Sequence, residues 1–136
     1  MPNPQSANHT YIAPGNWNDA DHWNSGHVPG AGNSVILHSD CTIPEGYTAV
    51  AGNIDIPVLD TLTIADGGQL VHSGSGVIAT VEKNITAYSG DGGYCLLTNP
   101  VADRQNPDSL GMTKDDYDLY WFDQSEDLEW RNYKQI

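Results

Sequence analysis

Residues 15–29, Gly-Asn-Trp-Asn-Asp-Ala-Asp-His-Trp-Asn-Ser-Gly-His-Val-Pro, restrict the fold more than any other stretch of this chain. Trp17 and Trp23 are separated by small, acidic and amide residues, and Gly26 and Pro29 then close the segment. A Trp pair embedded in Asn, Asp, Gly and Pro belongs to turns and not to an amphipathic helix. The segment therefore reads as a compact, irregular lid whose two indole rings cover the open end of a sheet or strand stack. Such a lid predicts an all-β, solenoid-like domain of a secreted protein.

The residues after the lid carry the matching pattern. Short β-branched runs are expected at Val35–Leu37, Cys41–Ile43, Thr48–Val50, Asn53–Ile56, Thr61–Ile64, Gln69–Val71, Val77–Val81 and Ile85–Tyr88. Turn residues punctuate them at Pro44-Glu-Gly, Pro57, Asp66-Gly-Gly and Ser73-Gly-Ser-Gly, and no window shows sustained helical periodicity. Leu62 and Ile64 point to one face, and Leu70 returns to that face after the corner at Asp66-Gly67-Gly68. Strands this short, each ending at a Gly or Asp corner, suit a parallel coil in which each strand pairs with the coils above and below. The predicted architecture is a short right-handed parallel β-solenoid-like stack with an N-terminal Trp-rich cap. The alternative is an antiparallel β-sandwich or jelly roll, against which stands the scarcity of Asn-Gly and Asp-Gly hairpin turns.

The C-terminal third has a different character. Residues 102–114 read as a polar loop, and Tyr117-Asp-Leu-Tyr-Trp-Phe-Asp and Leu128-Glu-Trp-Arg-Asn-Tyr as two strands around Gln124-Ser-Glu-Asp. The expected division is a flexible leader at 1–10, a capped solenoid-like domain at 11–91, and C-terminal aromatic strands at 92–136. Those strands would pack on the domain or open a second one.

Charge narrows the partners. Eighteen Asp and Glu against five Lys and Arg give a formal charge of −13. That surface repels phosphate backbones and anionic lipid, so nucleic acid is not an expected partner. No apolar run reaches the ~18 residues of a membrane span, and the start, Met-Pro-Asn-Pro-Gln-Ser, shows no export signal. Cys41 and Cys95 both sit in β-like runs, where unpaired thiols behave as small buried hydrophobes, with one disulfide as the alternative.

Three stretches resemble known surface proteins. Gly15-Asn-Trp through Pro29, followed by Asn33-Ser-Val-Ile-Leu, resembles the opening of repeat regions in large secreted bacterial surface proteins. Leu62-Thr-Ile and Gly67-Gly-Gln-Leu resemble a coil of adhesin or autotransporter-type β-solenoids. Gly93-Tyr-Cys-Leu-Leu-Thr-Asn-Pro-Val with the Tyr117 and Leu128 runs is similar to the segment preceding cleaved-adhesin or haemagglutinin-type jelly rolls of Bacteroides-like bacteria. The resemblance implies a secreted or cell-surface module excised from a larger protein, with its export signal and sorting domain elsewhere. It implies a structural or adhesive role, with a host or bacterial surface glycan or protein as partner. It does not specify an oligomeric state.

Candidate chemistry is sparse. Trp17, Trp23, Trp121 and Trp130, with Arg131 nearby, have the residue types of a sugar platform, in which a C–H face stacks on an indole; the competing reading makes all four rings core or cap. Asp19 and Asp21, and Asp115, Asp116 and Asp118, have the oxygen ligands calcium prefers, although neither run matches the EF-hand pattern. Structural calcium is thus the one cofactor considered, and otherwise none is expected. No nucleophile is accompanied by a base, the histidines lack zinc spacing, and the carboxylates read as solvated surface. The expectation is a protein that is not an enzyme, with a carbohydrate-binding module and an accessory piece of a secreted hydrolase as alternatives.

Overall fold

The structure is a computed structural model that describes residues 8–84, 111–114, 117–125, 127 and 130–135. The chain divides into two compact units, Met1–Gly93 and Tyr94–Ile136. Both are all-β in their described residues, where helix is limited to 3-10 turns at Ala20–His22 and Tyr133–Gln135.

The first unit contains β1 (His9–Tyr11), β2 (Gly15–Asn16), β3 (Val35–Leu37), β4 (Cys41–Ile43), β5 (Thr48–Ala51), β6 (Ile54–Asp55), β7 (Leu62–Ile64), β8 (Gln69–His72) and β9 (Thr80–Val81). They form three small open sheets, ordered β1-β3-β6, β2-β4-β7-β9 and β5-β8. Among the described residues every pairing between strands of this unit is parallel, and no strand pairs with its neighbour in sequence. Cys41 sits beside Leu62, and Thr48 beside Gln69. The antiparallel pairing a sandwich needs is confined, among the described residues, to the second unit and an isolated Tyr11–Trp23 bridge.

The strands are short because the pattern that makes them is short. In β1, β3 and β4 the first and third side chains turn inward and the middle one outward, the period of a pleated strand. Stacking in register then builds inward columns: His9, Val35 and Ile54; Tyr11 and Leu37; Cys41 and Leu62; Ile43 and Ile64; Ala49 and Leu70. Tyr11, Trp17, Trp23, Val35, Leu37, Cys41, Ile43, Ala49, Ala51, Ile54 and Leu62 form the buried cluster. Each large side chain removed from water there stabilises by roughly 1.5–3 kcal/mol.

Corners repeat as well. The turns 44–47 and 65–68 each close with a backbone bond, Tyr47 N–H to the Pro44 carbonyl and Gly68 N–H to the Ala65 carbonyl. Each carries a left-handed glycine in its third position, Gly46 at φ 70° and Gly67 at φ 77°, as a type II turn requires. The two turns lie against each other, with Gly46 N–H donating to the Gly67 carbonyl at 3.3 Å. A Cβ on Gly68 would stand 3.0 Å from the carbonyl oxygens of Ala65 and Ile43, so a side chain has no room where these corners meet.

Two expectations change. His9 and Thr10, which the sequence places in a flexible leader, form β1 with Tyr11, paired to β3, and His9 is buried. The strand forms because His9 and Tyr11 both find core positions while Thr10 faces outward. The runs expected at 53–56 and 77–81 shorten to Ile54–Asp55 and Thr80–Val81. Ile85–Tyr88 lies outside the described residues.

In the second unit, β10 (Tyr120–Phe122) and β11 (Trp130–Asn132) form an antiparallel pair, matching Tyr120 with Asn132, Trp121 with Arg131 and Phe122 with Trp130.

Candidate functional site

The lid is an aromatic and imidazole network anchored to β1 and β4. Trp17 N–H donates to the Thr42 carbonyl at 2.8 Å, and Ile12 N–H to the His22 carbonyl at 2.9 Å. The Trp23 ring stands edge-on to Trp17 at 5.0 Å and to Tyr11 at 4.9 Å, and its Nε1–H donates to the Trp17 carbonyl at 2.8 Å. Both indoles are fully buried. Trp17 and Trp23 therefore offer no ring face to a ligand, which corrects their place among sugar-stacking candidates. Burial of the Trp23 N–H is matched by a partner; Trp17 Nε1 has no hydrogen-bond partner in the structure.

Asp19 and Asp21 take part in the hydrogen bonding of the lid. Asp19 caps the short 3-10 turn by accepting from Asp21 N–H at 3.1 Å, and its other oxygen lies 3.6 Å from His22 Nε2. His22 Nδ1 meets the Tyr11 hydroxyl at 3.2 Å, so a line of polar groups ties Asp19 through His22 to the core. Burial raises the Tyr11 hydroxyl pKa well above its ordinary value, with the neighbouring Cys41 and Asp19 adding to the effect. The Cys41 thiol is buried and free, and desolvation pushes it up to about 12 despite a hydrogen bond with Tyr11. A neutral thiol beside a neutral phenol is core material, not a nucleophile. Cys95 lies outside the described residues.

A second imidazole group closes the other side of the lid. The His9 ring stands edge-on to His27 at 4.8 Å and to Trp23 at 6.5 Å, and its Nδ1 meets the Ser25 hydroxyl at 2.8 Å. Burial lowers the His9 pKa below 6.5 and repulsion from His27 adds to it, while the His27 backbone opposes both. In the unfolded chain this histidine takes a proton near pH 6.5, before the folded chain does. Stability contributed by neutral His9 is therefore complete above that pH and is lost as pH falls through it. We expect the urea midpoint to fall between pH 7 and pH 5, and His9→Gln to flatten that slope. The carboxylates held low, Asp66 beside Lys83 and Asp123 beside Ser125, act only nearer pH 4 and below. A slope unchanged in the variant would remove His9 as its cause.

The other candidates separate. Among the described residues, no three His, Cys, Asp or Glu side chains are placed to hold a metal ion. Asp118 accepts from Asn132 Nδ2 at 2.9 Å and from the Tyr120 hydroxyl at 3.4 Å, and Lys134 Nζ lies 3.8 Å away. Asp115 and Asp116 lie outside the described residues. A shallow concavity of about 740 Å³ is lined by residues including Asp55, Asp60, Val58 and Ile78. Asp55 is exposed and Asp60 half-buried.

The hairpin sorts its aromatics by the pleat. Trp121 and Arg131 share one face, where the guanidinium lies 5.8 Å from the indole centroid and Tyr133 stands edge-on at 4.8 Å. Trp130 projects from the opposite face beside Phe122, ring centroids 5.2 Å apart. Trp130 is 55% exposed, Phe122 47% and Tyr120 41%. The candidate residues Trp121, Trp130 and Arg131 thus do not form one surface. Phe122 and Tyr120, which sequence reasoning did not single out, stand with Trp130; their signal was the alternation itself, positions 120 and 122 against 121.

No family model, curated protein or solved structure matches the chain. Its chemistry is read from its own residues. Among those described, no helix is long and apolar enough to cross a membrane.

Proposed function

We propose that this chain is a non-catalytic structural and adhesive module of a secreted bacterial surface protein. Its first unit is a short right-handed parallel β-solenoid-like stack, sealed at one end by the Trp17–Trp23 lid. What carries the reading is the register. His9 meets Val35 and Gly15 meets Cys41 across 26 residues, then Val35 meets Ile54 across 19, and Cys41 meets Leu62 and Thr48 meets Gln69 across 21, so separate sides of the unit advance together by similar, though not identical, steps. Parallel pairing that advances by similar steps on different sides is what successive coils of a solenoid produce. Right-handedness follows from the preference of parallel crossovers. Stacked coils make a stiff object whose outer faces can vary without loss of core, which suits a spacer that presents a binding surface. The likeness of residues 15–37 and 62–70 to repeat regions of surface proteins supplies the cellular setting. The lid spends its polar groups on its own turns, which also favours structure over catalysis.

Paired cysteines test the arrangement. Val50→Cys with Val71→Cys places two thiols on outward-facing neighbours in register, within the Cα separation a disulfide accepts. Val50→Cys with Leu70→Cys sets them on opposite faces. Mild oxidation is expected to bond the first pair and not the second, read by peptide mapping; equal bonding would discard the stacked register. The non-catalytic part is tested by a panel of fluorogenic glycosides, esters and peptides. Turnover that disappears in Asp60→Asn would replace the structural reading with a hydrolytic one.

A further inference from the structure

The second unit carries a feature that the stack does not use. On one face of the hairpin, Phe122 and Trp130 sit directly across the two strands, tilted by 60° and about half exposed. Two positions along, Tyr120 and Asn132 form the next pair on the same face, and both bond to Asp118. An apolar aromatic end therefore adjoins a carboxylate whose two oxygens are held in place. We infer that this face is a docking platform for a neutral pyranose ring, stacked on Trp130 and Phe122 with its hydroxyls at the Asp118–Asn132 end.

Size, chemistry and charge select that occupant. Three residues per strand give a face about 10 Å long and roughly 5 Å between strands. A stable protein interface needs about 800 Å² from each partner, far more than three side chains expose. One or two sugar rings match it. A pyranose has an apolar C–H face for the indole and a rim of hydroxyls, and Asp118 accepts from such donors. The formal charge of −13 disfavours uronate, sulfate or phosphate ligands. The inference does not depend on the coil register of the first unit, so either can fail alone.

The test titrates the full chain with cellotetraose and mannotetraose, and with tetragalacturonate as the anionic control. Isothermal calorimetry gives affinity, and saturation-transfer NMR locates the contacting ring protons. A neutral tetramer is expected to bind, with transfer strongest at its C–H face. Trp130→Ala and Phe122→Ala should each weaken binding about tenfold, Trp130→Tyr should hold it within about threefold, and Arg131→Ala on the opposite face should change it less than about twofold. Unchanged melting temperatures separate lost contact from lost fold. No binding by either neutral tetramer, equal binding of the galacturonate, or indifference to both ring deletions would overturn the platform.

Discussion

Trp23→Ala is expected to lower the stability of the first unit by about 3–5 kcal/mol, the range for deleting a large buried aromatic. The ring is 2% exposed and contacts Tyr11, Trp17 and His9 edge-on, so its removal leaves a void among closely packed side chains. It also orphans the Trp17 carbonyl that accepts its N–H. Trp23→Phe separates the two effects, because it keeps a ring and loses the donor; about 1–3 kcal/mol is expected from that loss. For a domain whose whole stability is about 5–15 kcal/mol, the alanine change removes a large share of it. Urea denaturation read by far-UV circular dichroism measures both variants. A loss below about 1 kcal/mol for Trp23→Ala would mean the lid is not integral to the core.

The lid is also where the sequence is most and least informative. That Trp17 and Trp23 lie in turns follows from the Asn, Asp and Gly residues between them. Whether they face the core or a ligand does not, since an indole serves either purpose and only the packing of Tyr11, His9 and β4 decides. The strands from Val35 to Ile64 and at Gln69 are readable because β-branched residues are bounded by Gly, Pro and Asp at each end. β1 is not legible in the sequence because His-Thr-Tyr holds a single β-branched residue and follows a Pro- and Asn-rich start; its strand character comes from pairing with β3. In the hairpin, alternation separates Trp121 from Tyr120 and Phe122, and Trp130 from Arg131, but only the pairing of Trp121 with Arg131 sets the two indoles on opposite faces. Exposure is another matter, because it depends on what Arg131 and Tyr133 cover. For the aspartates, spacing reveals oxygen ligands in the sequence but not whether they converge. Asp19 is engaged by Asp21 and His22, a local capping contact that spacing alone does not reveal.

A paired substitution in one loop and strand provides the sharpest contrast between composition and position. Pro57-Val-Leu-Asp-Thr-Leu-Thr-Ile holds two leucines three positions apart, and hydrophobicity alone treats them alike. Leu59 is 92% exposed in the turn before β7, whereas Leu62 is 1% exposed and stacks in register beneath Cys41. Leu62→Ala is therefore expected to cost about 2–5 kcal/mol, since it opens a cavity beneath parallel strands that backbone hydrogen bonds hold at a fixed spacing. Leu59→Ala should stay within about 0.5 kcal/mol of the parent. The cysteine above adds a further check: with Leu62 gone, Cys41 loses the neighbour that shields it, and its reaction with a thiol reagent under native conditions should quicken while that of the Leu59 variant does not. Equal effects at 59 and 62 would show that inward and outward positions are not distinguished at this strand, and the parallel pairing of β4 with β7 would lose its physical basis.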